Sequence, residues 1–134
     1  MNKKNDQVKS QESTLYNNIL LLSRNELFYT RFDLADTFQN RIHLIFIHIS
    51  LILIKTKTDM KDNECKIFYQ KLFDLLFNKI ELNMREIGYG DVQVNKNMKL
   101  LVKTFYNILL NCEKFKELNL NTKNTFILKY LEQN

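Results

Sequence analysis

The sequence predicts an all-α fold, a single compact bundle of about five helices. Apolar residues recur at steps of three and four along most of the chain, which is the period of an amphipathic helix rather than of a strand. The chain has no proline and only two glycines, so few positions interrupt a helix. Its 134 residues and 45% hydrophobic content are enough to bury one core without disulfides or a metal.

The N-terminal part is predicted to be a polar tail followed by a capped helix. We expect a flexible tail over residues 1–10 and one helical domain over residues 11–134. Ser13 or Thr14 can cap the first helix, because a hydroxyl oxygen accepts a hydrogen bond from a free N–H group of the first turn. A short helical segment is expected next, over residues 25–30.

The most apolar segment covers residues 42–54 and is too short to be a membrane span. A span needs about twenty apolar residues, whereas these thirteen include two histidines and a serine and are closed by Arg41 and Lys55. The period-two alternation of a strand is also absent. We therefore predict a buried core helix, capped by Asp36 or Thr37.

One polar seam is predicted on this core helix. Arg41, His48 and Lys55 are seven residues apart, so they share a stripe that drifts by only about 20° per heptad. Arg41 and His48 either form a buried seam that a carboxylate satisfies or contact a partner. His43 and His48 are five residues apart, or about 140° around a helix, which does not suit a shared metal ion. We predict no metal site.

A second long helix is predicted over residues 64–87, after a polar loop over residues 56–63. Its apolar positions again recur at three- and four-residue steps, which predicts one buried face. Glu81 and Arg85 stand four residues apart in the order that favours an ion pair on a helix.

Both glycines of the chain lie in the corner after this helix. Gly88 is predicted to end the helix in the left-handed conformation, which glycine adopts without strain. Gly90 and Asp91 turn the chain, and Asp91 or Asn95 can cap the next helix. A phosphate-binding loop is not predicted, since the corner matches neither GxxxxGK nor GxGxxG.

The helix after the corner combines two stripes. Its apolar stripe runs from Met98 to Cys112, and a basic stripe beside it contains Lys96, Lys99 and Lys103. The apolar stripe is expected to face the core and the basic stripe to face away from it.

The positive charge is concentrated toward the C-terminal end. The net charge is +5, and residues 92–134 carry seven lysines against three glutamates. This distribution favours an acidic partner or an anionic surface. A last helix is expected over residues 122–132, and the two distant cysteines, Cys65 and Cys112, indicate a reduced compartment.

Four blocks of the sequence occur in the order of a known family. They are Phe28-Tyr29; Arg41 through His48 to Leu53; Leu72-Phe73-Asp74 with Met84 to Val92; and Lys96 through Phe105-Tyr106. Through these blocks the chain resembles the ubiquinol–cytochrome c chaperone family. The most specific element is Arg-Glu-x-Gly-x-Gly-Asp at residues 85–91, followed by the lysine-bearing helix.

The resemblance implies a non-catalytic assembly chaperone. It would bind newly made cytochrome b, or another bc1 subunit, and assist assembly of the respiratory cytochrome bc1 complex. A small partner subunit is a further implied partner, and no cofactor is implied. A peripheral contact with the anionic inner membrane is expected from the basic stripe and not from the resemblance. The implied location is the cytoplasm of a bacterium, with contact at the inner membrane, rather than the mitochondrial matrix. An apolar client needs an apolar groove, which the many Phe, Leu, Ile and Met residues can supply.

By the same resemblance, nine residues are candidates for partner binding. They are Arg41, His48, Arg85, Glu86, Gly88, Gly90, Asp91, Lys96 and Lys99. For the corner residues the alternative is a structural role in caps and ion pairs, and for the lysines it is a solvated helix face.

The residues bear on two other function classes, an enzyme and a nucleic-acid-binding module. No nucleophile elbow, HExxH motif or carboxylate pair indicates an enzyme, so we predict no catalytic residue. A small basic helical module that binds nucleic acid is the alternative function, because GYGD before a lysine-bearing helix can imitate a helix-turn-helix. That helix lacks arginine and its best-defined side is apolar, so a nucleic-acid partner is not expected.

Overall fold

The computed structural model describes residues 11–134, and helices account for most of that range. In chain order they are α1 (Gln11–Ser23), α2 (Leu27–Thr30), α3 (Phe38–Asp59), α4 (Asp62–Ile87), α5 (Asp91–Cys112), a 3₁₀ helix (Phe115–Glu117) and α6 (Leu120–Tyr130). Strands are absent from the described residues, apart from one isolated bridge between Leu34 and Gln133. The predicted all-α bundle of five helices is confirmed, with α2 as an additional single turn. The tail predicted over residues 1–10 lies outside the described residues, and the division into tail and domain stays a prediction.

Helix α3 occupies the centre of the bundle and packs against α1, α4 and α5. Every residue from Ile42 to Ile49 is buried except His48, as predicted for a core helix. Phe46 has no exposed surface and meets Phe105 of α5 at 5.2 Å and Phe77 of α4 at 5.7 Å between ring centroids. Among the described residues, no helix combines the length and hydropathy required to cross a bilayer.

The connection between α3 and α4 is shorter than the predicted loop. Residues 56–59 continue α3, so the loop expected over residues 56–63 was wrong. The hydroxyls of Thr56 and Thr58 donate to the carbonyls of Leu53 and Lys55 at 3.0 and 2.7 Å. Threonine can satisfy its hydroxyl in this way inside a helix, so a polar run did not end α3.

Of the side-chain caps predicted for α1 and α3, only that of α3 is present. Thr37 caps α3, accepting a hydrogen bond from the Asn40 N–H at 3.1 Å, as predicted. Ser13 and Thr14 lie inside α1, which is already helical at Gln11, so neither caps it.

The last helix begins earlier than predicted. Helix α6 starts at Leu120 instead of residue 122, because the Asn119 side chain accepts a hydrogen bond from the Thr122 N–H at 2.8 Å. Asparagine is among the most favourable capping residues.

The C-terminal residues are attached to the middle of the chain by a buried asparagine. Nδ2 of Asn40 donates to the carbonyls of Ala35 and Glu132, both at 2.7 Å, and its Oδ1 accepts from the Glu132 N–H at 2.9 Å. Nearby, Nδ1 of the buried His43 lies 2.7 Å from the carbonyl oxygen of Tyr130. We call this set of contacts the C-terminal clamp.

Replacing Asn40 with alanine should destabilise the protein markedly. The variant leaves main-chain groups of Ala35 and Glu132 without their partner, and each buried polar group left unpaired costs about 1–3 kcal/mol. Asn78→Ala, at an exposed position of α4, is the control and should change stability by less than about 0.5 kcal/mol. Urea unfolding followed by circular dichroism measures both, and equal stabilities for the two variants would contradict the clamp.

Candidate functional site

The corner between α4 and α5 has a defined hydrogen-bond pattern. Gly88 lies in the left-handed region with φ 111°, as predicted. The Gly88 N–H donates to the carbonyl of Arg85 at 3.1 Å, and the Tyr89 N–H donates to that of Met84 at 3.1 Å. This pair of bonds is a Schellman motif, which satisfies carbonyls at the end of a helix.

Gly90 begins α5 without needing the conformational freedom of glycine. Its φ of −76° and ψ of 168° are accessible to any residue, and its carbonyl accepts from the Val94 N–H at 2.9 Å. A Cβ added at Gly90 would meet no described atom within 4 Å. The expectation that Asp91 or Asn95 caps α5 was wrong, because Gly90 holds the capping position and Asp91 is the first helical residue.

Arg85 connects the two helices of the corner. Its guanidinium donates to the carboxylates of Asp91 and Glu81, with 3.1 Å to the Glu81 oxygen, which confirms the predicted Glu81–Arg85 pair. The hydrogen bond to Asp91, and then that to Glu81, raise the pKa of Arg85 above its usual value. Asp91 also places its negative charge in the first turn of α5, where the helix dipole favours it. The corner therefore combines a turn with an exposed, charged surface.

Arg41 and Glu86 come together on one side of the corner. They line a cleft of about 320 Å³ between α1, α3 and α4, together with Arg24. The predicted buried seam at Arg41 was wrong, since this side chain is 53% exposed. A carboxylate does satisfy it: Nε and Nη2 donate to the two oxygens of Asp36 at 2.7 and 2.9 Å.

His48 lies apart from the corner and is only half-buried. Its Nδ1 lies 2.6 Å from the carbonyl oxygen of Leu44 on the same helix, so a main-chain group and not a carboxylate satisfies it. Its ring meets Phe28 edge-on at 6.1 Å between centroids. The buried histidine of α3 is His43 instead, which belongs to the C-terminal clamp.

Lys96 and Lys99 lie on the exposed face of α5, as the basic stripe predicted. We call this face the outer stripe of α5, and its residues recur at steps of three and four: Val92, Lys96, Lys99, Lys103, Tyr106 and Leu110. The apolar members are well exposed, at 84% for Val92, 48% for Tyr106 and 59% for Leu110. These three were missed from the sequence, although their spacing from the lysines is visible there.

Among the described residues the metal-ligating side chains are dispersed, and one of the two free thiols is buried. Within residues 11–134, no three His, Cys, Asp or Glu side chains are close enough to hold a metal ion. Cys112 is a buried free thiol, and its burial raises its pKa to about 11. It is therefore protonated at neutral pH, whereas a nucleophilic cysteine must be a thiolate.

The family relation follows from a direct match. The family model described as Ubiquinol-cytochrome C chaperone matches residues 30–117, more than half of the chain. The chain belongs to the ubiquinol–cytochrome c chaperone family. No curated protein and no solved structure matches it.

The ubiquinol–cytochrome c chaperone match includes the central helices and the corner. It takes in α3, α4, α5 and all nine residues predicted to bind a partner. Helices α1 and α6 lie outside the matched range. The structure distributes the nine residues among the corner, the cleft at Arg41, the outer stripe of α5 and the region around His48. Their role in partner binding stays a prediction.

The two glycines of the corner should respond differently to alanine. Gly88→Ala forces a side chain into the left-handed region and should destabilise the protein by about 1–2 kcal/mol. Gly90→Ala requires no change of backbone and restricts the unfolded chain, which stabilises the protein, but alanine is a poorer capping residue than glycine. Because these two effects oppose each other, stability should change by less than about 0.5 kcal/mol. Thermal or urea unfolding compares the two variants. A loss of stability in Gly90→Ala as large as that in Gly88→Ala would contradict this description of the corner.

Proposed function

We propose that this chain is a non-catalytic assembly chaperone that binds newly made cytochrome b and assists assembly of the respiratory cytochrome bc1 complex. The observation that carries the proposal is the family match over residues 30–117. The matched range contains the core helix, the glycine corner and the lysine-bearing helix, which are the parts that also carry the sequence resemblance. Another bc1 subunit is the alternative client.

The surface of the bundle supports binding rather than catalysis. Three large apolar side chains around one cleft of the bundle are exposed, Phe32 at 55%, Leu51 at 38% and Leu128 at 50%. Exposed apolar surface on a folded protein typically marks a binding site for another apolar surface. A newly made membrane subunit presents such a surface before it is assembled.

The charged corner is proposed as the second contact with the client or with a small partner subunit. Arg85, Glu86 and Asp91 are exposed, and the Schellman motif at Gly88 fixes the direction in which they are presented. The adjacent cleft adds Arg41 beside Glu86. Charged groups on a fixed backbone favour a particular partner and orientation more than they add affinity.

The outer stripe of α5 is proposed to contact the anionic inner membrane from the cytoplasmic side. Lys96, Lys99 and Lys103 supply positive charge, while Val92 and Tyr106 supply apolar groups on the same face. Each lysine near an anionic bilayer contributes about 1 kcal/mol, so three give a weak contact that depends on salt. The exposed apolar members and the absence of arginine from the stripe favour lipid over nucleic acid as its partner.

Affinity purification tests the client. Tagged protein recovered from solubilised membranes of the host should carry cytochrome b, and deletion of the gene should lower the amount of assembled bc1 complex. Glu86→Lys should reduce the recovered cytochrome b several-fold, while Glu64→Lys, at an exposed position at the start of α4, should not. Normal bc1 levels in the deletion strain, with no recovery of cytochrome b, would refute the proposal.

Vesicle binding tests the outer stripe. Replacing Lys96, Lys99 and Lys103 together with glutamine should weaken binding to vesicles rich in anionic lipid about a hundredfold at low salt, because about 3 kcal/mol of attraction is lost. The control replaces Lys55, Lys57 and Lys61, which are exposed near the end of α3, and removes the same charge. Equal binding by the two triple variants in a sedimentation assay would show that the stripe is not the contact. Retention on DNA that exceeds retention on vesicles would favour the nucleic-acid alternative.

A further inference from the structure

An apolar groove runs along α3 beside α6. Residues from α2 and the segment after it form one side, α3 forms the floor, and α6 with the residues after it forms the other side. Its volume is about 550 Å³. We call it the α3–α6 groove.

We propose that the α3–α6 groove binds an uncharged apolar helix of the client, a membrane-spanning segment of cytochrome b before its assembly. This inference rests on the proposed function for the identity of the client, and on the chemistry of the groove for the kind of segment bound. An apolar helix in an apolar groove is a recurring mode of recognition.

The lining of the groove excludes charged ligands. None of its described lining residues is Asp, Glu, Lys or Arg, and its only polar members are His48, Asn124 and Gln133. A charged segment or a lipid headgroup would lose its hydration there without gaining an ion pair. Leu44, Ile47 and the other apolar residues of the floor instead match the side chains of a membrane helix.

His48 provides the one polar feature of the floor. Its Nδ1 faces the Leu44 carbonyl, which can only accept, so Nδ1 carries the proton of the neutral ring. Nε2 is then an acceptor, suited to a single hydroxyl on an otherwise apolar helix. This gives His48 a role in partner binding that differs from the charged role of the corner residues.

The rim of the groove exposes large apolar side chains from three parts of the chain. Phe32 is 55% exposed, Leu51 on α3 is 38% exposed and Leu128 on α6 is 50% exposed. Burying three such side chains against an apolar helix is favourable, because it removes their apolar surface from water.

Helix α6 forms one wall of the groove. None of its residues from Leu120 to Tyr130 is fully buried, although Phe126, Ile127 and Tyr130 are partly buried against the core. Its end is held by the C-terminal clamp, where the Tyr130 and Glu132 main chains meet His43 and Asn40. The wall is therefore attached both by side-chain packing and by main-chain hydrogen bonds.

The N-terminal residues of this chain do not suit the groove. Residues 1–10 contain Met1 and Val8 among charged and polar residues, so they have no apolar helix face to bury there. A separate apolar polypeptide is the occupant that matches the lining.

Capture of newly made cytochrome b tests the groove. Labelled cytochrome b is synthesised in a cell-free system without membranes, in the presence of the purified full-length chain carrying a tag. Phe32→Lys and Leu128→Lys should each lower the recovered label at least tenfold relative to the wild type. Ile67→Lys is the control, because Ile67 is 57% exposed on α4 and lies outside the groove.

The outcomes separate the groove from the proposed function. Full capture by Phe32→Lys and Leu128→Lys would overturn the groove and leave the assembly role intact, whereas no capture by the wild type would overturn both. A photo-reactive amino acid at position 128 gives an independent readout that does not depend on adding a charge. An adduct with cytochrome b supports the proposal, and an adduct with a second copy of this chain, or none, overturns it.

Discussion

The burial of Phe46 between helices α4 and α5 is the contact on which the bundle depends. Its ring has no exposed surface and meets the rings of Phe77 and Phe105, which also lie 5.8 Å apart. Aromatic pairs of this kind contribute about 0.5–1.5 kcal/mol each beyond the area they bury. The cluster joins α3, α4 and α5. It therefore fixes the positions of α4 and α5, the two helices that meet at the corner, relative to the core.

The periodicity of the sequence was sufficient to predict this architecture, while contacts between distant residues were not predictable from it. Apolar steps of three and four located α3, α4 and α5, and the lone left-handed glycine located their corner at Gly88. The bonds of Asn40 to Glu132 join residues 92 positions apart, and no local pattern marks a buried asparagine. The prediction that Arg41 is buried was wrong for a related reason. Asp36, just before α3, binds the Arg41 guanidinium at the surface.

The nine residues predicted to bind a partner follow a family pattern and do not form one geometric cluster. The corner residues Arg85, Gly88 and Asp91 do lie together, yet His48 lies on another side of α3. The apolar members of the outer stripe and the rim of the α3–α6 groove were missed, because exposed apolar residues look like core residues in a sequence. Their exposure becomes evident only when neighbouring helices fail to cover them. The described surface thus offers charge at the corner, charge with apolar groups on α5, and an uncharged groove beside α6.

The C-terminal clamp also determines the order in which the two sides of the α3–α6 groove form during synthesis. A ribosome releases α3 long before residues 130–132, so the floor of the groove is made first and its outer wall can attach only after Tyr130 and Glu132 have emerged. Contacts between residues far apart in sequence form late because a long loop must close. The family-matched helices can therefore pack around Phe46 before the groove has two sides. A chain that lacked residues 131–134 would lose Leu131 from the core and the bonds of Glu132 to Asn40, and with them the attachment of the outer wall of the α3–α6 groove.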